Sequence, residues 1–374
     1  MMIFFGLVFL LLYAALVVYI GWSGWGWLKP WVKKEISWKF KVLYILTFSI
    51  VSTSFIVGRF FDNVIFHILG SFWMAIFYIL LILIPLVHIT VLILRFTRLP
   101  RPHVTKWSGV ITMGLLFSFI AYGLFNAYIP VVQTYNIQIN KEHDSIDNMN
   151  IVMASDTHFG ILSGKGHANR MVKEINGLNP DIVLLPGDII DDDVNQFIQQ
   201  DIGQILSEIN APYGVYLSLG NHDRHNGPMK ELIDELEQGN LSVLYDDIVS
   251  IDEHITLIGR KDRTDREREE ISSLMEEVNS DQITIMLEHQ PYDLDIAQEN
   301  GIDLILSGHT HRGQVFPGNL ITKRLYENDW GHLQKEQMHS IVSSGYGFWG
   351  PPIRIGTRSE IVQINVFFNK EEND

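Results

Sequence analysis

The chain has no cysteine among its 374 residues, which excludes disulfides, thiolate metal sites and a cysteine nucleophile. The redox compartment therefore stays open. Charge is scarce at the start: residues 1–130 hold ten Lys/Arg against Glu35 and Asp62, a net +8. The remainder is short of positive charge instead, with 18 basic residues against 41 acidic ones, a net −23. A region that acidic has no basic footprint for a phosphate backbone, so nucleic-acid binding is not expected. It suits a solvated surface or carboxylates that a cation neutralises. The N-terminus lacks a basic leader and a small-residue cleavage site, and reads as a retained span. No internal repeat or low-complexity segment is present.

What is abundant is hydrophobic sequence, 47% of the chain and concentrated early. Residues 2–22, 42–61, 64–94 and 108–131 each reach the roughly 20 apolar residues that cross a bilayer. Pro85 predicts a tilt or kink in the third run. The loop "LKPWVKKEISWKFK" carries five lysines and one glutamate, and "RFTRLPRPHVTK" carries Arg95, Arg98, Arg101 and Lys106. Lys and Arg stay on the cytoplasmic side, so both loops are expected inside and both chain ends outside. The expected division is a four-helix transmembrane domain over 1–131, a linker over 132–148 and a catalytic-type domain over 149–374. The lipid bilayer is then a partner, and the large domain is extracytoplasmic.

Beyond the linker, apolar strands alternate with helical patterns. "NIVMASD", "DIVLLPGD", "YGVYLSLGNHD", "QITIMLEHQP" and "IDLILSGHTH" read as strands; "HANRMVKEINGL", "PMKELIDELEQG" and "DREREEISSLMEEV" read as helices. Continuous Val/Ile/Leu strands between helices indicate an α/β fold whose sheets are covered by helices.

Polar clusters sit at the carboxyl ends of those five strands, where open α/β folds place ligand sites. They are Asp156 and His158 in "SDTHFG", Asp188 and Asp191 in "PGDIIDD", then Asn221, His222 and Asp223 in "GNHD". His289 in "LEHQP" and His309 with His311 in "GHTH" complete them. In Asp-x-His and His-x-His, extended backbone sends residues i and i+2 to one face, so both can reach one centre. Glycines before Asp188, Asn221 and His309 allow tight turns. Oxygen and imidazole donors suit Mn, Fe or Zn. Seven donors (Asp156, His158, Asp188, Asn221, His289, His309 and His311) exceed what one open ion needs. They suit two ions about 4 Å apart sharing a carboxylate.

Five ordered blocks, D-x-H, G-D-x-x-D, G-N-H-D, a lone H and G-H-x-H, resemble the calcineurin-like metallophosphoesterase superfamily. The tail "SSGYGFWGPPIRIGTRSEIVQINV" after "GHTHRGQVFPG" resembles its membrane-associated bacterial branch, typified by YkuE and YaeI. The resemblance implies a four-layer α/β/β/α sandwich, here behind an all-α four-helix transmembrane region. It implies one metal on Asp156, His158, Asp188 and His311, and a second on Asp188, Asn221, His289 and His309. His222, oriented by Asp191, would sit beside the scissile phosphate. Two divalent ions are implied, manganese first, with zinc or iron as alternatives. Asp192 stands where phosphoprotein phosphatases of the superfamily carry Arg, which argues against phosphoprotein substrates. Arg312 replaces a glycine of "GHTHGG" and is a candidate for substrate phosphate.

The function so implied is hydrolysis of a phosphodiester or pyrophosphate, in a lipid or cell-envelope headgroup, by a metal-bridging hydroxide. A broad extracytoplasmic phosphodiesterase for soluble nucleotides or sugar phosphates is the alternative. A non-catalytic membrane receptor or scaffold is the reading from a different class. The stretch "GYGFWGPP" offers Tyr346, Phe348 and Trp349 either to lipid or to the core.

Overall fold

Apolar segments that meet hydrocarbon must pair their backbone groups internally, and a helix does this within one segment. The computed structural model describes residues 2–33, 37–61, 63–97, 100–143, 146–191, 193–225 and 229–369. It comprises two units, Met1–Leu124 with Pro351–Ile353, and Phe125–Gly350 with Arg354–Asp374.

The first unit is built on helices α1 (Met2–Leu28), α2 (Ser37–Phe60), α3 (Val64–Leu94) and α4 (Arg101–Tyr128). Among the described residues, four helices are long and apolar enough to cross a membrane. α3 runs on through Pro85 for 31 residues. Small and hydroxylic residues join the first three helices. A Cβ on Gly70 would come within 2.7 Å of Phe55 Cα, so α2 and α3 touch at backbone distance. Trp73 Nε1 donates to Tyr13 Oη at 2.7 Å, and that hydroxyl donates to Ser52 O at 2.6 Å.

The second unit contains strands β1 (Val131–Glu142), β2 (Asn148–Met153), β3 (Ile182–Pro186), β4 (Val215–Ser218), β5 (Ser242–Leu244) and β6 (Asp247–Ser250). The later strands are β7 (Ile255–Gly259), β8 (Ile283–Leu287), β9 (Leu304–Ser307), β10 (Gly331–Lys335), β11 (Met338–Val342) and β12 (Glu360–Asn369). Among the described residues they form two six-stranded sheets, ordered β1-β12-β2-β3-β4-β5 and β10-β11-β9-β8-β7-β6.

Strand periodicity explains the layers. In β2, Ile151 and Met153 face the second sheet while Val152 faces outward; in β3, Ile182 and Leu184 face inward and Val183 and Leu185 outward. Both faces are buried because helices cover the outsides. α5 (Lys165–Gly177), α6 (Val194–Gln199), α7 (Ile202–Leu206) and α9 (Met229–Gln238) cover the first sheet, with short α8 (Asn221–His225) between. α10 (Ile271–Met275) and α11 (Leu294–Glu299) cover the second. The result is the four-layer α/β/β/α sandwich.

Two local readings change. Residues 132–148, read as a linker from their polarity, contain most of β1, which pairs in parallel with β12 from Val131↔Glu360 to Ile139↔Phe368. It is an edge strand with one wet face, so only Ile137 and Ile139 are buried apolar residues. The charged stretch "DREREEISSLMEEV" is helical only over Ile271–Met275. Its first part is turn and irregular chain instead, fastened by Arg268, which reaches buried Glu288 beside Arg260.

Leu257 sits fully buried between the two sheets. Leu257→Ala should cost about 2–5 kcal/mol. In detergent the full-length variant should melt lower by roughly 5–15 °C. An unchanged midpoint would show that the sheet-to-sheet layer is not the core.

Candidate metal centre

Strands β2, β3 and β4 of one sheet and β8 and β9 of the other end in short polar loops. The donors lie just past those ends, where strand alternation no longer applies. Asp156, His158, Asp188, His309 and His311 all have left-handed backbone, with φ of 50°, 44°, 53°, 69° and 46°. The extended backbone expected for Asp-x-His and His-x-His is therefore absent. Each donor is turned inward by its own kink, an arrangement costing about 1–3 kcal/mol per residue.

Two glycines make room. A Cβ on Gly220 would lie 2.2 Å from Asp188 Oδ1, and one on Gly308 would lie 2.1 Å from Asp156 Oδ2. The carboxylates rest on backbone donors: His222 N–H donates to Asp188 Oδ1 at 2.8 Å and His309 N–H to Asp156 Oδ1 at 2.9 Å.

Among the described residues the side chains converge in three groups, each with its ligand atoms within 4.8 Å of one another, and His158 belongs to two of them. These are Asp156 with His158 and His311, Asp188 with His289 and His309, and His158 with Asp191 and His222. Asn221 opens α8 next to His222. Asp188 connects the first two groups: its Oδ2 is 3.1 Å from His289 Nε2 and 3.8 Å from His158 Nε2.

The donor chemistry fits bound cations. His289 Nδ1–H donates to Pro186 O at 2.9 Å, so the neutral ring presents a lone pair at Nε2. That nitrogen is buried, has no hydrogen-bond partner, and faces the Asp188 carboxylate. Two acceptors so close repel unless positive charge lies between them. Burial works against protonating His289, but Asp188 overrides it and holds the imidazole pKa well above its ordinary value. Burial and His289 together pull His309 down to about 4. A divalent ion removes this conflict by replacing the proton.

At the other group, His158 Nε2 and His311 Nε2 are 3.1 Å apart, and His311 Nε2 is 3.5 Å from Asp156 Oδ1. Behind His311 lies Arg354, fully buried and absent from the sequence reading. Its Nη2 donates to His311 Nδ1 at 3.0 Å and to Ser344 O and Gly347 O at 2.6 and 2.7 Å. A guanidinium only donates, so His311 Nδ1 accepts and the neutral ring carries its proton on Nε2, aimed at His158. Nothing in a lone arginine within "PPIRIG" announces its burial.

Other residues fall differently from their sequence reading. His222 Nδ1 donates to the backbone carbonyl of Asp191 at 3.2 Å, while the Asp191 carboxylate lies 3.4 Å from His158 Nδ1. Buried Asp223 accepts from the N–H groups of Gly220, Ile189 and Ile190, tying two site loops together. Arg312 stacks 3.7 Å above the Trp330 ring and forms no ion pair among the described residues. Tyr346 and Phe348 are buried, leaving Trp349 as the exposed aromatic of its stretch. Asp192 lies outside the described residues.

Residues 149–313, which contain all seven proposed donors, match the family model for the calcineurin-like phosphoesterases. The chain is 30% identical over 250 residues to an uncharacterized metallophosphoesterase of Helicobacter pylori, covering 65% of either chain. It is 29% identical over 260 residues to the Danio rerio transmembrane protein with metallophosphoesterase domain, covering 65% of this chain and 59% of that one. The chain spans less than two thirds of the length of both. The uncharacterized metallophosphoesterase YkuE of Bacillus subtilis is 27% identical over 286 residues, covering 73% of this chain and 98% of that protein.

Arg354→Met removes the group that aims His311. Loss of such an outer partner should weaken metal binding about 10–100-fold. Titration of chelator-stripped full-length protein with Mn²⁺ measures this, and unaltered affinity would remove Arg354 from the account of the site.

Proposed function

We propose that the protein is an integral-membrane phosphoesterase with two divalent ions: residues 149–313 match the calcineurin-like phosphoesterase family model, and four helices are long and apolar enough to cross a membrane. The reaction class we infer is hydrolysis of a phosphodiester or pyrophosphate bond, in a lipid or cell-envelope headgroup. The observation that carries this reading is Asp188 Oδ2 poised between His289 and His158, one nitrogen from each group.

Asp156, His158, Asp188 and His311 would hold one ion; Asp188, Asn221, His289 and His309 the other. Manganese heads the order, with zinc or iron behind it. Bound there, the ions supply Lewis-acid charge that acidifies water and offsets charge growing on phosphoryl oxygens. The chain's own residues set the rest. Pro186 O fixes the His289 tautomer, and the left-handed turns aim Asp156 and His309 inward. The Asp191 carbonyl holds the proton of His222 Nδ1, and Nε2 would be the ring atom that, when it too carries a proton as imidazolium, gives that second proton to the departing oxygen. Half-buried Arg312, unpaired with any acid among the described residues, offers a cation to the phosphate.

Detergent-solubilised protein should hydrolyse aryl phosphate esters, lose this on chelation and regain it with Mn²⁺, Zn²⁺ or Fe²⁺. His222→Ala should lower turnover by about 10²–10⁴, and Asp188→Ala by at least as much. Full activity in Asp188→Ala would refute the assignment.

The charge asymmetry of the loops supports an extracytoplasmic catalytic unit. The absence of native cysteine makes this direct to measure. In intact cells an impermeant maleimide should label Glu299→Cys and spare Lys41→Cys; the reverse pattern would invert the topology.

A further inference from the structure

Helix α12 (Gly318–Leu325) follows the His309 and His311 pair and has no buried side chain. Leu320, Ile321 and Leu325 are 60–65% exposed on it, and Trp349 is 52% exposed nearby. The two segments are joined. Gln314 Nε2 donates to Trp349 O and Trp349 N–H donates to Gln314 Oε1, both at 2.9 Å. α12 is also fastened to the site. Thr310, between His309 and His311, donates to Asp329 O at 2.7 Å, and Thr322 of α12 donates to Asp329 Oδ2 at 2.8 Å.

This apolar surface borders the ligand cluster on two sides. The Trp349 ring lies 6.0 Å from that of His222, and Tyr326, next to Leu325, lies 6.3 Å from His309. Lys323 and Arg324 are exposed on the same helix and pair with no acid among the described residues. They interleave with Leu and Ile in a region of net charge −23. Basic residues beside apolar ones, with a tryptophan, are the chemistry of an anionic lipid interface. The four membrane-length helices of the same chain keep such a surface within its reach. Leu320, Ile321, Leu325 and Trp349 are few against the roughly 20–30 residues per side of a stable protein interface. They are ample for shallow insertion among headgroups.

We propose that α12 and Trp349 form an interfacial docking surface that seats the mouth of the site on an anionic bilayer, so that the phosphoester cleaved is one carried by a lipid. The headgroup enters between Trp349 and Tyr326 while its chains stay in the membrane. Lipid presentation rests on the phosphoesterase reading above; immersion of the surface does not.

The cysteine-free chain permits a direct test. Full-length Leu320→Cys, Ile321→Cys and, as control, exposed Lys173→Cys carry a nitroxide in phosphatidylcholine vesicles containing phosphatidylglycerol. The ratio of oxygen to nickel-complex accessibility should be several-fold higher at 320 and 321 than at 173. Adding Lys323→Glu with Arg324→Glu should return it to the control value. Equal ratios at all three positions would overturn docking, as would spin–spin broadening from a second copy on this face. Immersion untouched by charge reversal would overturn the role of anionic lipid. Soluble aryl phosphate hydrolysis by the same samples reads the catalytic assignment separately. Immersion without hydrolysis would sink the lipid-phosphoesterase inference while sparing the docking surface; hydrolysis with labels in water would sink the docking alone.

Discussion

A carboxylate oxygen facing a histidine lone pair cannot remain without positive charge, and the second unit is organised around one such place. Asp188 comes from the first sheet, His289 from the second, and their facing atoms lie 3.1 Å apart. His158, from the first sheet, approaches the same Asp188 oxygen from the other ligand group. A cation pair bound there would do more than serve chemistry: it would tie loops of both sheets to a common centre.

Holding the donors in that position requires strain and support. Five left-handed residues turn the donors inward, and Gly220 and Gly308 let two carboxylates rest directly on backbone. Asp223 gathers three N–H groups beneath the Asp188 loop, and Arg354 binds the carbonyls behind His311. These interactions fix geometry before any ligand arrives, which is the condition for efficient stabilisation of developing charge.

The layers and the polar clusters at the strand ends could be read from the sequence because each leaves a local mark. Uninterrupted Val/Ile/Leu runs signal strands buried on both faces, and polar residues directly after them signal strand ends. Other features leave no local mark. β1 was hidden because an edge strand with one wet face resembles a polar linker. Arg354 was hidden because its partners are carbonyls contributed by distant turns. The reason given for the Asp-x-His spacing was also mistaken: the strand stops at Met153, and left-handed turns bring the side chains together. Phe348 and Trp349 are neighbours of similar chemistry, and only the fold separates the buried ring from the exposed one.

The most direct measurement of the central claim is anomalous X-ray scattering from crystals of the full-length protein loaded with Mn²⁺. Two peaks about 3.5–4 Å apart, both within bonding distance of Asp188, are the predicted result. One peak, or two that leave Asp188 unbound, would contradict a bridged pair of ions between the sheets.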